Sequence, residues 1–338
     1  MRAVVLRRHG PAEILSLESV PDPTTGSEQV LVAVEAIGLN FAEVLSRKGL
    51  YGWSPDLPYV LGMEAVGVIE EIGDRVEGRE IGERVLVASQ FGSYAEKIAV
   101  TASAALPALD SYTPEENAAF GVNYMTAWVS LLEMARMRHT DRVLVTAAAG
   151  GVGTAAVQIA SSFGCEVVAL ASSDAKLQLA RNLGATDTVC YGNTGFPDQL
   201  LDTVGSRGID VALETVGGHV FKACADCLAP FGRIVVAGYA ELDYKLWNPI
   251  SLWRAWRGMP RMSMESMYKG SKGLLSTHLG YLVPYPEIVR PVWDRLTTFV
   301  EEHKIRPIVG HVFQLADVAE AHQLMESRGS MGKIVMRV

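Results

Sequence analysis

Val143-Leu144-Val145-Thr146-Ala147-Ala148-Ala149-Gly150-Gly151-Val152-Gly153 carries the strongest chemical signal in the chain. An apolar β-prone run, a turn of small residues and an amphipathic continuation through Thr154-Ala155-Ala156-Val157 describe a strand-to-helix corner. Small side chains let the backbone approach a ligand. The helix N-terminus adds unpaired N–H groups and the positive end of its dipole, so the corner suits a pyrophosphate. Ala148, Gly150, Gly151, Val152 and Gly153 are the residues expected to touch it. The key small positions are Ala147, Gly150 and Gly153, with Ala standing where the dinucleotide fingerprint has its first Gly. A turn that binds nothing is the bland alternative, and the strand before and the helix after weigh against it.

The residues beyond the next strand choose between the two nicotinamide cofactors. An acid there pairs with ribose hydroxyls, whereas hydroxyls and a cation suit an additional phosphate. The strand ends in Ala171-Ser172-Ser173-Asp174-Ala175-Lys176. Ser172, Ser173 and Lys176 fit a phosphate, and Asp174 is expected to cap the following helix. NADPH is therefore favoured over NADH, although Asp174 also lies where a ribose acid would stand and Lys176 could be a solvated helix residue.

Elements able to hold such a corner are legible around it. From residue 142 the chain alternates strand and helix, with strands expected at 142–146, 166–170, 187–190, 209–214, 233–237 and 277–283. That rhythm predicts a parallel sheet covered on both faces, with ligands beyond the carboxyl ends of its strands. Residues 1–110 instead read as short strands and Gly or Pro turns in an irregular β-barrel, among them Val30, Val32 and Val34 at alternate positions. A helical stretch opens at Pro114-Glu115-Glu116 and continues to Met137. After residue 305 a strand at 309–313, a helix at 315–327 and a last strand at 333–338 are expected to return to the first domain.

Composition sets outer limits. The 338 residues suggest two domains, and 49% apolar with 20% charged residues describe an ordinary globular protein. A net charge of −8 opposes general nucleic-acid binding. The N-terminus reads as a strand, not a signal peptide, and no apolar run reaches membrane-spanning length. Cys165, Cys190, Cys224 and Cys227 have no framework spacing, which points to reduced thiols and a cytoplasmic setting.

Gly38-Leu39-Asn40-Phe41-Ala42-Glu43, continuing through Arg47-Lys48-Gly49-Leu50-Tyr51, and Leu61-Gly62-Met63-Glu64-Ala65 add a second set of motifs. With the Gly-rich corner, they make the whole chain resemble the medium-chain dehydrogenase/reductase superfamily, and within it the zinc-independent quinone oxidoreductases related to zeta-crystallin. The resemblance implies an α/β fold: a GroES-like β-barrel catalytic domain (1–122 and 285–338) and a Rossmann doubly wound parallel-sheet cofactor domain (123–284). It also implies a homodimer. Zinc-dependent alcohol dehydrogenases of the superfamily place Cys and His ligands where this chain has Asn40 and Met63. An amide and a thioether are poor zinc donors, so no metal is expected.

Without a Lewis acid, a localised alkoxide is hard to stabilise, whereas a quinone or enone spreads the new charge over its conjugated system. The expected activity is NADPH-dependent hydride transfer to such an acceptor. By motif position Asn40 and Tyr51 are candidates to hydrogen-bond the acceptor oxygen or hold the nicotinamide ribose; structural roles suit them equally. Leu45 stands where several relatives carry Tyr, so no general acid is assigned. The resemblance places Tyr191 and Arg328 near the adenosine phosphate, and Thr126, Val216, Gly238 and Tyr239, at or near helix starts and strand ends facing the expected cleft, are expected to line the cofactor channel.

Residues 245–273 depart from the plain scaffold. Trp247, Trp253, Trp256 and several methionines mix with Arg254, Arg257, Arg261, Lys269 and Lys272. The stretch resembles the branch that includes the vesicle amine transport protein. It could be a helical core stripe, a lid, a dimer contact or a peripheral membrane element. Two further functions stay open: a nucleotide-binding scaffold or membrane-associated adaptor with little turnover, and an enoyl or alkenal double-bond reductase.

Overall fold

The computed structural model describes residues 1–238, 259 and 261–338. Tyr239 and all of 245–258, including Trp247, Trp253, Trp256, Arg254 and Arg257, lie outside the described residues. The chain divides into two units, Met1–Asn123 with Leu279–Val338, and Tyr124–His278.

The first unit begins with β1 (Arg2–Leu6), β2 (Leu17–Ser19), β3 (Gln29–Leu39), α1 (Phe41–Lys48), β4 (Tyr59–Val60), β5 (Glu64–Ile72), β6 (Arg84–Ala88), β7 (Lys97–Thr101) and β8 (Ala105–Pro107). Its long strand β3 pairs antiparallel with both β5 and β7, and Val30, Leu31 and Val32 are all buried, with Val30 and Val32 in the hydrophobic core. Helix α2 (Pro114–Trp128) leads into the second unit.

There the chain runs through β9 (Arg142–Val145), α3 (Gly151–Ser162), β10 (Glu166–Ala171), α4 (Asp174–Asn182), β11 (Asp187–Cys190), α5 (Phe196–Val204), β12 (Ile209–Glu214), α6 (Gly218–Asp226), β13 (Leu228–Val236), α7 (Met264–Gly270) and β14 (Gly273–Ser276). The six strands are parallel in the order β11-β10-β9-β12-β13-β14. The strand order reverses beside β9, the first of them in the chain. Continuous burial of Val143, Leu144 and Val145 follows from cover on both faces. No described helix is long and apolar enough to cross a membrane.

The sixth strand differs from expectation. It forms at Gly273–Ser276, and Leu279–Leu282 is instead a short 3-10 turn of the first unit. Gly280 is buried there against Trp53, where an added Cβ would lie 2.6 Å from the indole. Of the run 277–283 only Gly280 is buried, Tyr281 is exposed and the rest are half-buried, and the chain re-enters the first unit at Leu279, ahead of residue 285. It closes through α8 (Pro286–Glu302), β15 (Val309–Gln314), α9 (Val318–Glu326) and β16 (Lys333–Arg337). β16 pairs antiparallel with β3, bringing Ile334 opposite Leu39.

Candidate functional site

In the second unit, β9 ends one residue before Thr146 and the chain turns through Ala147, whose φ of +46° lies in the left-handed region. Ala148 donates its N–H to Leu170 O at 2.9 Å, and Gly150 donates to Ala147 O at 2.8 Å, closing the turn. Gly150 is the N-cap of α3 and brings no side-chain oxygen to the helix's first N–H groups. An added Cβ on Gly153 would lie 2.1 Å from Ala147 O and 2.7 Å from Ala148 Cα, so only Gly permits this approach of helix to strand. Ala148 is buried beneath the turn, and Gly150, Gly151 and Val152 are half-buried at its mouth. The corner is a backbone-lined cradle whose chemistry fits a pyrophosphate.

The neighbouring strand ends supply the rest of this cluster. Ser172 and Ser173 are exposed after β10, and Lys176 Nζ lies 3.5 Å from Ser172 Oγ. Tyr191 follows β11, donates its N–H to Ala171 O and sets its ring 6.3 Å from Phe196. Asp174 does not cap α4. Ser173 occupies the N-cap and Asp174 the first helical turn, where its charge still favours the dipole. Beyond β12, the buried Glu214 accepts from the N–H groups of Val216 and Gly217 at 2.8 Å each, shaping that strand-to-helix loop. Gly238 follows β13 with an added Cβ 3.6 Å from Thr215 O. These residues share the carboxyl-end side of the sheet. Thr126 stands apart on α2, buried, its carbonyl accepting from Ser130 Oγ at 2.7 Å.

Asn40, Tyr51 and Arg328 belong to the first unit. Arg328 is exposed just past α9, with φ at +56°. Asn40 is the N-cap of α1, and Glu43 reaches back to accept from its backbone N–H at 2.6 Å. The Asn40 side chain lies among buried charges. Its Nδ2 donates to Glu64 Oε1 at 3.0 Å and its Oδ1 accepts from Lys333 Nζ at 2.7 Å, while Lys333 also pairs with Glu64 Oε1. Glu64 Oε2 accepts from Val122 N, and Glu43 Oε1 from Met63 N. Burial pushes the Glu43 carboxyl up to about 7, with Lys333 pulling against the shift and Glu64 adding to it. Burial, then the charge of Glu43, raises the half-buried Tyr51 phenol well above its ordinary range. Tyr51 is thereby suited to donating a hydrogen bond and unsuited to giving up a proton.

Glu43, Glu64 and Lys333 were not among the sequence candidates. For Glu64 and Lys333 the signal is a lone Glu in Met63-Glu64-Ala65-Val66 and a lone Lys in Gly332-Lys333-Ile334-Val335, opposite charges at the starts of apolar strands β5 and β16.

The sequence matches the family described as Alcohol dehydrogenase GroES-like domain over residues 26–110 and that described as Zinc-binding dehydrogenase over residues 151–269. The Synaptic vesicle membrane protein VAT-1 homolog of Mus musculus is 31% identical over 339 residues, covering 99% of this chain and 83% of the relative. The Quinone oxidoreductase-like protein 2 homolog of Nematostella vectensis is 32% identical over 315 residues, 92% of this chain and 82% of that protein. Among solved structures, the quinone oxidoreductase of Thermus thermophilus, described alone and in complex with NADPH, superposes with a TM-score of 0.80 at 32% identity over 100% of both chains. This chain therefore belongs to the medium-chain dehydrogenase/reductase superfamily. Within it, the chain is a quinone oxidoreductase-like member with similarity to the VAT-1 homologues.

One family description names zinc, and the residues here do not fit that ion. The first and second ligand positions hold Asn40 and Met63. The nearby Glu64 and Glu43 oxygens are already engaged by Lys333 and by backbone N–H groups. Neutral amide and thioether donors beside a buried ammonium are the reverse of a zinc site. Among the described residues no group of three or more His, Cys, Asp or Glu is placed to hold a metal ion.

Proposed function

We propose that the protein is an NADPH-dependent reductase that delivers hydride to a quinone or related conjugated carbonyl, without a metal ion. The backbone cradle from Ala147 to Gly153 carries this reading, because it has the shape and donors of a pyrophosphate site at the carboxyl end of a doubly wound sheet. Ser172 and Lys176, adjacent at the end of β10, favour a 2′-phosphate. The NADPH complex of the similar Thermus thermophilus enzyme supports the same cofactor.

When bound, the nicotinamide supplies the hydride. Ala148 and Gly150 to Gly153 would hold the pyrophosphate, Ser172, Ser173, Lys176 and Tyr191 the adenosine phosphate, and Val216 and Gly238 the channel beyond it. Asn40 and Tyr51 would donate to the acceptor oxygen as charge develops there. A conjugated acceptor needs no more than this, and water can return the proton.

Stopped-flow oxidation of NADPH against quinones, enones and enoyl thioesters tests the reading. Turnover with quinones or enones supports it. Preference for enoyl thioesters would make the protein a double-bond reductase, and tight NADPH binding without oxidation by any acceptor would make it a nucleotide-binding scaffold.

The four buried free thiols are in keeping with a reducing, cytoplasmic compartment. A homodimer formed through β14, the last strand at one edge of the parallel sheet, would cover backbone groups that β13 leaves unpaired. Light scattering showing a monomer at micromolar concentration would exclude it.

A further inference from the structure

Asn40, Glu64 and Lys333 close a ring of three polar side chains within the first unit. Lys333 Nζ donates to Asn40 Oδ1 and Glu64 Oε1, and Asn40 Nδ2 donates to that same Glu64 oxygen. An ammonium can only donate and a carboxylate can only accept, so the ring admits one orientation of the Asn40 amide. Turning the amide over would set its oxygen against Glu64 and its NH2 against Lys333.

Stability alone does not explain the ring. The Lys333 and Glu64 side chains are 2% and 1% exposed, and a buried ion pair is commonly no more stabilising than apolar side chains of similar volume. Glu64 spends its other oxygen on Val122 N–H. Among the described residues the second N–H of Asn40 has only Gly38 O and Glu43 Oε1 within reach, each 3.4 Å from Nδ2, too long for strong bonds. Asn40 is also the only half-buried residue of the three. Hydrogen-bonding capacity to spare and partial exposure thus coincide on one residue, Asn40.

We infer that Lys333 and Glu64 are positioning residues that lock the Asn40 amide so that an N–H, never the carbonyl oxygen, is offered to the acceptor's oxygen. The inference rests on the role proposed above for Asn40. It explains how a chain with an amide in place of a zinc-binding thiolate presents a hydrogen-bond donor at that position: the charges behind the amide fix its orientation.

The test compares full-length wild type with Lys333→Met and Lys333→Arg, each carrying asparagine labelled with 15N at the side chain. The Asn40 amide pair is assigned by its disappearance in Asn40→Ser. In Lys333→Met the Asn40 pair is expected to move toward the position of a free amide, and kcat/KM for a soluble quinone to fall by at least about tenfold. Lys333→Arg keeps charge and donors, so both readouts are expected to return to within about threefold of wild type in rate and close to its amide position. If Lys333→Met does not fold, Lys333→Met combined with Glu64→Leu removes both charges and takes its place. An Asn40 pair that stays put in the folded variant overturns the inference, as does a pair that moves with kcat/KM unchanged. If none of the acceptors drives NADPH oxidation by the wild type, the proposed function fails, and the amide spectrum alone then decides whether the lock exists.

Discussion

Arg47 of α1, wholly buried, donates from Nη2 to Glu326 Oε2 of α9 at 2.5 Å, and the other Glu326 oxygen takes Lys48 Nζ at 2.7 Å. This ties the helix that opens at Asn40 to the C-terminal helix. Arg47 Nε and Nη1 are buried without a hydrogen-bond partner among the described residues, so the desolvation of the guanidinium is only partly offset. Arg47→Met is expected to change stability by less than about 1 kcal/mol or to raise it, whereas Glu326→Leu, which strands a buried cation, should cost about 3–5 kcal/mol. Urea titration of both variants checks the asymmetry, and the opposite order would refute it.

Gly150 and Gly153 do different work in one turn. A methyl on Gly153 meets the backbone of Ala147 and Ala148 at 2.1 and 2.7 Å, and backbone cannot step aside. Gly153→Ala should therefore destabilise the second unit by about 3 kcal/mol or more and abolish NADPH binding with it. A methyl on Gly150 meets only Ala147 O at 3.3 Å and projects at the mouth of the cradle. Gly150→Ala is expected to keep its melting temperature while weakening NADPH about tenfold or more. Calorimetric melting and titration of both variants separate packing from ligand approach, and equal losses of stability would show the distinction to be wrong.

That division marks how far the residues alone can be read. Periodicity placed β9, β11 and β12 because buried parallel strands are locally apolar, and small residues marked the corner because close approach excludes Cβ atoms. Leu279-Gly280-Tyr281-Leu282 misled because an apolar run encodes neither strand pairing nor full burial: only Gly280 of the four is buried, and Tyr281 is exposed. The ring at Asn40 was half legible. Asn40 sits in a motif, but its partners lie 24 and 293 residues away, and no local pattern encodes which distant charge closes a buried pair.

Lys176 offers the sharpest test of cofactor choice. Its ammonium, near Ser172 Oγ at the end of β10, would meet the charge that distinguishes NADPH from NADH. A charge-assisted hydrogen bond contributes about 1.5–3 kcal/mol, so Lys176→Ala should raise the NADPH dissociation constant roughly ten- to hundredfold and leave NADH nearly unchanged. Equal losses for both nucleotides by fluorescence titration would remove Lys176 from the phosphate site.

The donor set around Asn40 predicts indifference to chelators. Dialysis against EDTA and phenanthroline should leave NADPH oxidation and melting temperature unaltered, because neither Asn40 nor Met63 is a ligand that zinc favours. Stoichiometric zinc by elemental analysis, lost together with activity, would overturn the metal-free assignment.

Two buried groups of the first unit give stability an unusual dependence on pH. Glu43, raised from 4.5 to about 7 chiefly by burial, holds its proton longer in the native state, so its contribution falls as pH rises through that window. His322 is lowered from 6.5 to about 3, first by burial and then by the Arg47 cation, so the unfolded chain binds that proton first and stability is lost as pH falls below 6.5. Between pH 4.5 and 6.5 the two slopes oppose each other. His322→Gln keeps a hydrogen-bonding group for Tyr94 OH, 3.2 Å from His322 Nε2, and removes only the acid-side loss. The variant should therefore gain on wild type by about 2 kcal/mol between pH 7 and pH 5, as one proton costs about 1.4 kcal/mol per pH unit. Urea midpoints at the two pH values measure this directly, and a constant gap between variant and wild type would mean that His322 takes up its proton as readily in the folded protein as in the unfolded chain.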